Sequence, residues 1–124
     1  KLKEGNYTVK DHMDVEVDFI KEHFKNPVLQ AEILKENEDN VMAGITGQQL
    51  KDHEADIIKI LEDLPSAEQE IRWLKDVHGL TTLPEIGLDE SLRSLTLKLS
   101  PYVRHRLTFM RLLKFYSFYD EIVA

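Results

Sequence analysis

The hydrophobic positions of this chain recur mostly at intervals of three and four residues, which is the spacing of amphipathic helices. The pattern predicts a first helix over residues 9–25, with Thr8 as its N-cap. Residues 14–19 also alternate polar and apolar side chains, as a half-buried strand does. No neighbouring run supplies a hairpin partner, however, so the prediction for this region is a helix.

Three capping patterns predict where the next helices begin. In each, a polar side chain that can accept a hydrogen bond from the first helical turn precedes an apolar stripe. The patterns are Asn26-Pro27 for a helix over 27–37, Thr46 with Gln49 for 47–64, and Ser66 with Gln69 for a helix ending at Gly79. Gly79 is expected to adopt the left-handed conformation that ends a helix, and Trp73 is expected to pack in the core.

The second half of the chain is the more hydrophobic one. The loop 80–88 is predicted to pack onto the helices, and a short helix is predicted at 90–99. Ser100-Pro101 then opens the longest predicted helix, over 101–122, whose apolar side chains cover almost its whole circumference. The predicted fold class is therefore all-α: an irregular or orthogonal bundle of about six helices with a long, largely buried C-terminal helix.

Composition indicates a single domain. The chain has 124 residues, of which 42% are hydrophobic and 31% charged, and residues 1–124 are predicted to form one all-α domain. The first residue is not Met and the last turn has no cap, features expected of a domain excised from a longer chain.

No stretch approaches the roughly 20 apolar residues of a membrane span. The lack of cysteine fits the cytoplasm, which is the predicted location.

Charge is distributed unevenly. Residues 91–119 contain six Lys and Arg and no acidic residue, whereas the rest of the chain contains all 23 carboxylates and 10 Lys and Arg. A segment of charge +6 is thus joined to a body of charge −13. A nucleic-acid partner is disfavoured because most of the surface would repel phosphate groups.

Catalytic and metal-binding patterns are lacking. The sequence contains no nucleophile elbow, phosphate-binding loop or dinucleotide-binding glycine pattern, and none of its five histidines follows a Glu by three residues. The absence of cysteine excludes thiolate zinc sites and cysteine nucleophiles. The sequence therefore predicts neither an enzyme nor a cofactor or metal site.

The predicted function is protein–protein interaction, as a regulatory, adaptor or assembly subunit. The C-terminal helix is the expected contact surface, for an acidic partner or for a second copy in a homodimer. The predicted partner-binding residues are Arg104, Leu107, Arg111, Lys114, Phe115 and Phe118. In the competing interpretation these basic side chains lie inside the domain and pair with carboxylates such as Glu54, Glu62 or Asp63.

Two further functions remain as alternatives. A nucleic-acid-binding helical domain would use Arg104, Arg111 and Lys114, with neighbouring aromatic rings to stack on bases. A small-molecule-binding or metal-binding helical bundle is the other.

Overall fold

The regular elements of the chain are all helices or helical turns. We describe residues 1–124 in a computed structural model. The α-helices are α1 (Val17–His23), α2 (Pro27–Glu36), α3 (Gly47–Asp52), α4 (Glu54–Glu62), α5 (Ala67–Asp76), α6 (Arg93–Leu99), α7 (Phe109–Leu113) and α8 (Tyr119–Ile122). Short 3-10 turns lie at Leu2–Glu4, Pro84–Ile86, Glu90–Leu92 and Ser100–Tyr102. The predicted all-α class is confirmed, since the only β-type contact is an isolated bridge between Val9 and Tyr116.

The three capping patterns start helices as predicted. The side chain of Asn26 accepts hydrogen bonds from two N–H groups of α2, at 3.0 and 3.1 Å. Thr46 and Gln49 form a reciprocal pair at the start of α3, in which each side chain accepts from the other residue's backbone N–H, at 3.2 and 2.8 Å. Ser66 accepts from the third N–H of α5 at 3.2 Å. These starts depend on contacts within four residues, which the sequence contains directly.

The predicted helix over 9–25 is mostly wrong, because only α1 forms within it. The segment before α1 lies beside the end of the chain. The N–H of Lys10 donates to the carbonyl of Phe115 at 2.8 Å, and the N–H of Ser117 donates to the carbonyl of Thr8 at 3.0 Å. Thr8 and Ser117 are 109 positions apart, so local periodicity carries no information about this pairing.

Gly47, the first residue of α3, fixes the helix against the N-terminal segment. Its N–H donates to the carbonyl of Asp11 at 3.1 Å. A Cβ at this position would lie 2.4 Å from the carbonyl oxygen of Lys10, so the close approach requires glycine.

The predicted helix over 47–64 is interrupted at His53. This residue has φ −103° and ψ 14°, outside the helical range, and it separates α3 from α4. Backbone hydrogen bonds continue on both sides of it, from His53 to Gln49 at 3.1 Å and from Ile57 to His53 at 3.0 Å. The interruption is a local kink within the predicted span.

The helix before Gly79 ends one residue earlier than predicted. His78 has φ 56° and takes the left-handed conformation that was expected of Gly79. The N–H of Gly79 reaches back to the carbonyl of Leu74 at 2.7 Å, and that of His78 to Lys75 at 3.0 Å, which is a Schellman ending. A Cβ at Gly79 would lie 3.0 Å from the Leu74 oxygen, so the glycine serves this close approach.

The continuous C-terminal helix predicted over 101–122 is absent. A 3-10 turn at Ser100–Tyr102 leads into bends, and α7 begins only after Thr108, whose hydroxyl accepts from the N–H of Arg111 at 3.4 Å. The chain leaves the helical conformation again after α7, where its backbone bonds to the N-terminal segment. The Thr108 cap and the backbone hydrogen bonds to Thr8 and Lys10 therefore interrupt this segment, although apolar side chains would cover nearly the whole circumference of a continuous helix.

The core is small and consists of two clusters. Only 16 of the 124 residues are buried. The larger cluster contains Leu2, Met42, Leu50, Leu113, Phe115, Tyr116 and Phe118. The smaller cluster contains Ile20, Ile33 and Tyr102. No helix of the structure combines the length and the apolarity that crossing a membrane would require.

Candidate functional site

The six residues predicted to bind a partner do not share one surface. Arg104 and Leu107 are exposed, in the bends that precede α7. The other four are buried, in α7 or in the turn that follows it: Arg111, Lys114, Phe115 and Phe118. Since a buried side chain cannot meet a partner without unfolding, this group does not form the expected docking patch in the folded chain.

Lys114 is held by groups of its own chain. Its side chain is 4% exposed and its ammonium donates to the carboxylate of Glu16. The ammonium also lies over two aromatic rings, 5.1 Å from the centre of Tyr102 and 4.7 Å from that of Tyr119. Such contacts stabilise a cation that has lost most of its water.

Glu16 connects this cation to the smaller core cluster. It accepts hydrogen bonds from Lys114 and from the hydroxyl of Tyr102. Burial alone would raise the pKa of Glu16, but the two hydrogen bonds together with the charges of Lys114 and Lys10 outweigh it and hold the pKa below its usual range. Burial raises the pKa of Tyr102, and that of Tyr119 to about 12, so both phenols stay neutral at pH 7.

Arg111 is buried without a carboxylate. Its residue is 1% exposed, and its guanidinium donates to the side-chain oxygen of Asn37 at 2.6 Å and to the carbonyl of Arg104 at 3.1 Å. The guanidinium lies 5.6 Å from the centre of the Tyr102 ring. Burial lowers the pKa of Arg111 from its ordinary value. The basic C-terminal segment is therefore partly an internal polar network, as the competing interpretation proposed, but with other partners than Glu54, Glu62 and Asp63.

Helix α5 presents the opposite situation. None of its residues is buried, although its sequence separates apolar from charged side chains. We use the name α5 face for the exposed side chains of Ile71, Trp73, Leu74 and Val77. Trp73 is 52% exposed and Val77 73% exposed, so the expectation that Trp73 packs in the core is wrong. The spacing correctly predicts an amphipathic helix, but no other part of the chain covers its apolar side.

Apolar exposure continues after the α5 face. The predicted packing of the loop 80–88 is incomplete, because Leu80 and Ile86 are each more than half exposed. Of the 17 exposed large hydrophobic side chains in the protein, nine lie between residues 64 and 92. They are Leu64, Ile71, Trp73, Leu74, Val77, Leu80, Ile86, Leu88 and Leu92. A run of this kind in one segment is typical of an interaction site.

The total surface shows the same feature. The accessible surface is 8745 Å², whereas a compact monomer of 14.5 kDa is expected to expose about 6,900 Å². The chain thus exposes roughly 1,900 Å² more than a compact monomer of its mass.

The charged side chains of α5 form no ion pairs within the chain. The helix carries Glu68, Glu70, Arg72, Lys75 and Asp76. None of these is in any of the ion pairs that the chain forms within itself. At 100° per residue, four of them lie outside the α5 face, whereas Glu70 lies within it, between Leu74 and Val77.

A separate cavity of about 330 Å³ lies between the N-terminus, α4 and the last two helices. It is mainly apolar, with Leu2, Ile58 and Phe109 in its wall. The two lysines at its rim have carboxylate partners, Lys1 with Glu121 and Lys3 with Glu62. No group of three or more His, Asp or Glu side chains in the structure is placed to hold a metal ion.

The α5 face was missed by the sequence analysis because amphipathicity indicates only that a helix has an apolar side. The covering surface can belong to the same chain or to another one, and the sequence pattern is the same in both cases. The flanking sequence contained a useful signal. Pro65 precedes the helix and Gly79 follows it, and no further α-helix begins before α6. Such a helix has few neighbours in the chain to cover it.

Comparison with protein-family models, with curated proteins and with solved structures gave no match to this chain. The surfaces described above are therefore the basis for assigning a function.

Proposed function

We propose that this chain is a protein–protein interaction domain that binds through the α5 face and the apolar side chains of residues 80–92. The role is that of a regulatory, adaptor or assembly subunit rather than an enzyme. The observation that carries the proposal is α5 itself, a helix that has an apolar side although all of its residues are exposed. A cytoplasmic setting is part of the proposal, because a chain without cysteine needs no oxidising compartment.

The length of α5 supports the need for a partner. Isolated helices shorter than about 12–15 residues are marginally stable in water, and most helical stability in proteins comes from packing of the apolar side. Helix α5 has 10 residues and lacks such packing within the chain. A partner that covers the α5 face would supply it.

This proposal keeps the function predicted from the sequence, protein–protein interaction, but assigns the contact to a different surface. The sequence placed the contact on the C-terminal helix, where Arg111, Lys114, Phe115 and Phe118 are buried. The nucleic-acid alternative loses support for the same reason, because two of its three cations, Arg111 and Lys114, are already engaged inside the protein.

A matched pair of double variants tests the proposal. In Trp73→Ala with Leu74→Asp the α5 face is disrupted, whereas in Val28→Asp with Leu107→Asp two exposed apolar residues elsewhere are changed. Both pairs should leave the thermal midpoint of the monomeric chain within a few degrees of wild type, because all four side chains are exposed.

The measurement is chemical cross-linking of the tagged chain in an extract of its source cells, followed by identification of the cross-linked proteins, including further copies of the chain. We expect the first double variant to lose the proteins that wild type retains, and the control to keep them. Equal retention by both variants, or no specific protein with wild type, would contradict the proposal.

A further inference from the structure

We infer that the occupant of the α5 face is a second copy of this chain, with the two α5 helices packed antiparallel about a two-fold axis. This inference rests on the proposed function and names its partner. Two properties of the structure lead to it: the amount of surplus surface and the arrangement of charge along α5.

The surplus surface of the whole chain is large enough to include a permanent homodimer interface. Obligate dimers bury about 2,000–5,000 Å² in total, which is roughly 1,000–2,500 Å² from each chain. The surplus here, roughly 1,900 Å² above a compact monomer, lies within that range. A small transient contact of the standard size would cover only about 800 Å² of each partner and leave much of the surplus exposed.

Charge on α5 is complementary to itself. At 100° per residue, Glu68 and Lys75 lie on the same flank of the helix, separated by roughly 20° around the axis and 10 Å along it. They are too far apart to pair within one helix. When two copies pack antiparallel, the same flanks face each other with reversed direction, so Glu68 of each copy lies opposite Lys75 of the other.

The parallel arrangement does not have this property. In a parallel pair, the two-fold axis runs along the helices. The flank of one copy that carries Glu68 then faces the other flank of the second copy, where Glu70 lies at a similar position along the helix axis. Two carboxylates would then face each other, which is unfavourable. In the antiparallel pair the two copies of Glu70 approach each other near the two-fold axis, but this single unfavourable contact is accompanied by two Glu68–Lys75 pairs, so the charges favour the antiparallel arrangement.

The apolar residues fit this orientation. Ile71 and Leu74 lie close to the middle of the ten-residue helix and are on the same side of it. In an antiparallel pair centred between them, Ile71 of one copy contacts Leu74 of the other, and the two-fold axis repeats the contact. Trp73 lies about 130° around the helix from the middle of this seam, so the antiparallel contact leaves its ring exposed.

Overall charge is compatible with self-association at this site. The chain has net charge −7, so most pairs of its surfaces repel. Helix α5 carries three acidic and two basic residues, a net charge of −1. Pairing through α5 therefore brings together a local net charge of only −1 from each chain.

Charge reversal provides the test. Sedimentation velocity between about 1 and 100 µM should show wild type passing from monomer to dimer or fully dimeric. Glu68→Lys brings two ammonium groups together at each contact, and Lys75→Glu brings two carboxylates together, so we expect each variant to weaken self-association by roughly ten-fold or more. An equimolar mixture of the two variants should recover association close to that of wild type, because each mixed contact then joins opposite charges.

The mixture controls for effects on the helix itself. Either reversal also disturbs the helix ends electrostatically, but mixing two chains does not change the fold of either one. Lys75→Gln, which removes the charge without reversing it, should give an intermediate association.

The outcomes separate this inference from the proposed function. A wild-type monomer at 100 µM overturns the inference, and so does a dimer that is unaffected by either charge reversal. In both cases the proposed function stands if Trp73→Ala with Leu74→Asp still loses a different cross-linked protein. If that variant loses nothing, both fail.

Discussion

Helix α5 and the region from α7 to the end of the chain make opposite use of the same kinds of residue. Both combine aromatic, aliphatic and basic side chains at helical spacing. In the region from α7, Arg111 and Lys114 lie inside the protein, each with hydrogen-bond acceptors from a distant part of the chain. In α5, Arg72 and Lys75 form no ion pair and Trp73 is half exposed. The position of a cation depends on the acceptors that the rest of the chain brings to it, more than on its local sequence.

Truncation of one aromatic ring in each region tests the difference most strongly. Phe115→Ala should lower the free energy of unfolding by about 3–5 kcal/mol, because Phe115 is fully buried in the larger core cluster. Trp73→Ala should change it by less than about 1 kcal/mol in the monomer. Urea denaturation at low protein concentration measures both values, and similar losses for the two variants would remove the contrast between the regions.

Removal of one arginine side chain is expected to have the next largest effect. Arg111→Ala should destabilise the fold by about 1–3 kcal/mol, because it leaves the buried side-chain oxygen of Asn37 without its donor. Arg104→Ala is the control, since the side chain of Arg104 is exposed and only its carbonyl is used. The control should stay within about 0.5 kcal/mol of wild type in the same urea experiment. A larger loss of stability from Arg104→Ala than from Arg111→Ala would show that the guanidinium of Arg111 is not the buried cation that stabilises the fold.

A smaller effect is expected from the pH dependence of Glu16. Its pKa in the folded chain lies below the ordinary value of 4.5, so its contribution to stability is complete above that value and is lost as the pH falls through the folded pKa. The effect is reduced by solvent, since the side chain is 45% exposed.

Glu16→Gln provides the comparison for this prediction. The difference in unfolding free energy between wild type and Glu16→Gln, measured from pH 7 to pH 3, should shrink as the pH falls. A constant difference over this range would mean that the carboxylate does not stabilise the fold through its charge.

The smallest global effect is expected at the start of α5. Ser66→Ala removes the N-cap and should lower the local opening free energy of the helix by about 1 kcal/mol. Global unfolding of the monomer should barely change, because no residue of α5 is buried. Hydrogen exchange resolved to single amides measures the local value, and urea denaturation the global one. A matching global loss would show that α5 is part of the cooperative core.

The sequence predicts those features of the fold that depend on neighbouring residues. The caps at Asn26, Thr46 and Ser66 start helices where expected, because the donor and the acceptor are within three residues of each other. The hydroxyl of Thr108 caps α7 in the same way. That signal was present in the sequence, but the uniform apolarity of residues 101–122 favoured a single helix.

Features that depend on distant residues could not be predicted. Nothing near Arg111 indicates that Asn37 accepts from it, and nothing near Lys10 indicates that its N–H bonds to Phe115. The site was affected in the same way: the composition predicted a partner surface, but its location depended on which apolar side chains the rest of the chain covers.

The backbone pairing of Thr8 and Lys10 with Phe115 and Ser117 also constrains the order of folding. The two paired segments are far apart in the sequence. During synthesis, Thr8 and Lys10 can therefore form these hydrogen bonds only after the chain as far as Ser117 has left the ribosome. Until then, the part of the core formed by Phe115, Tyr116 and Phe118 is missing. Folding of the larger cluster therefore waits for synthesis of the segment that contains these three aromatic residues.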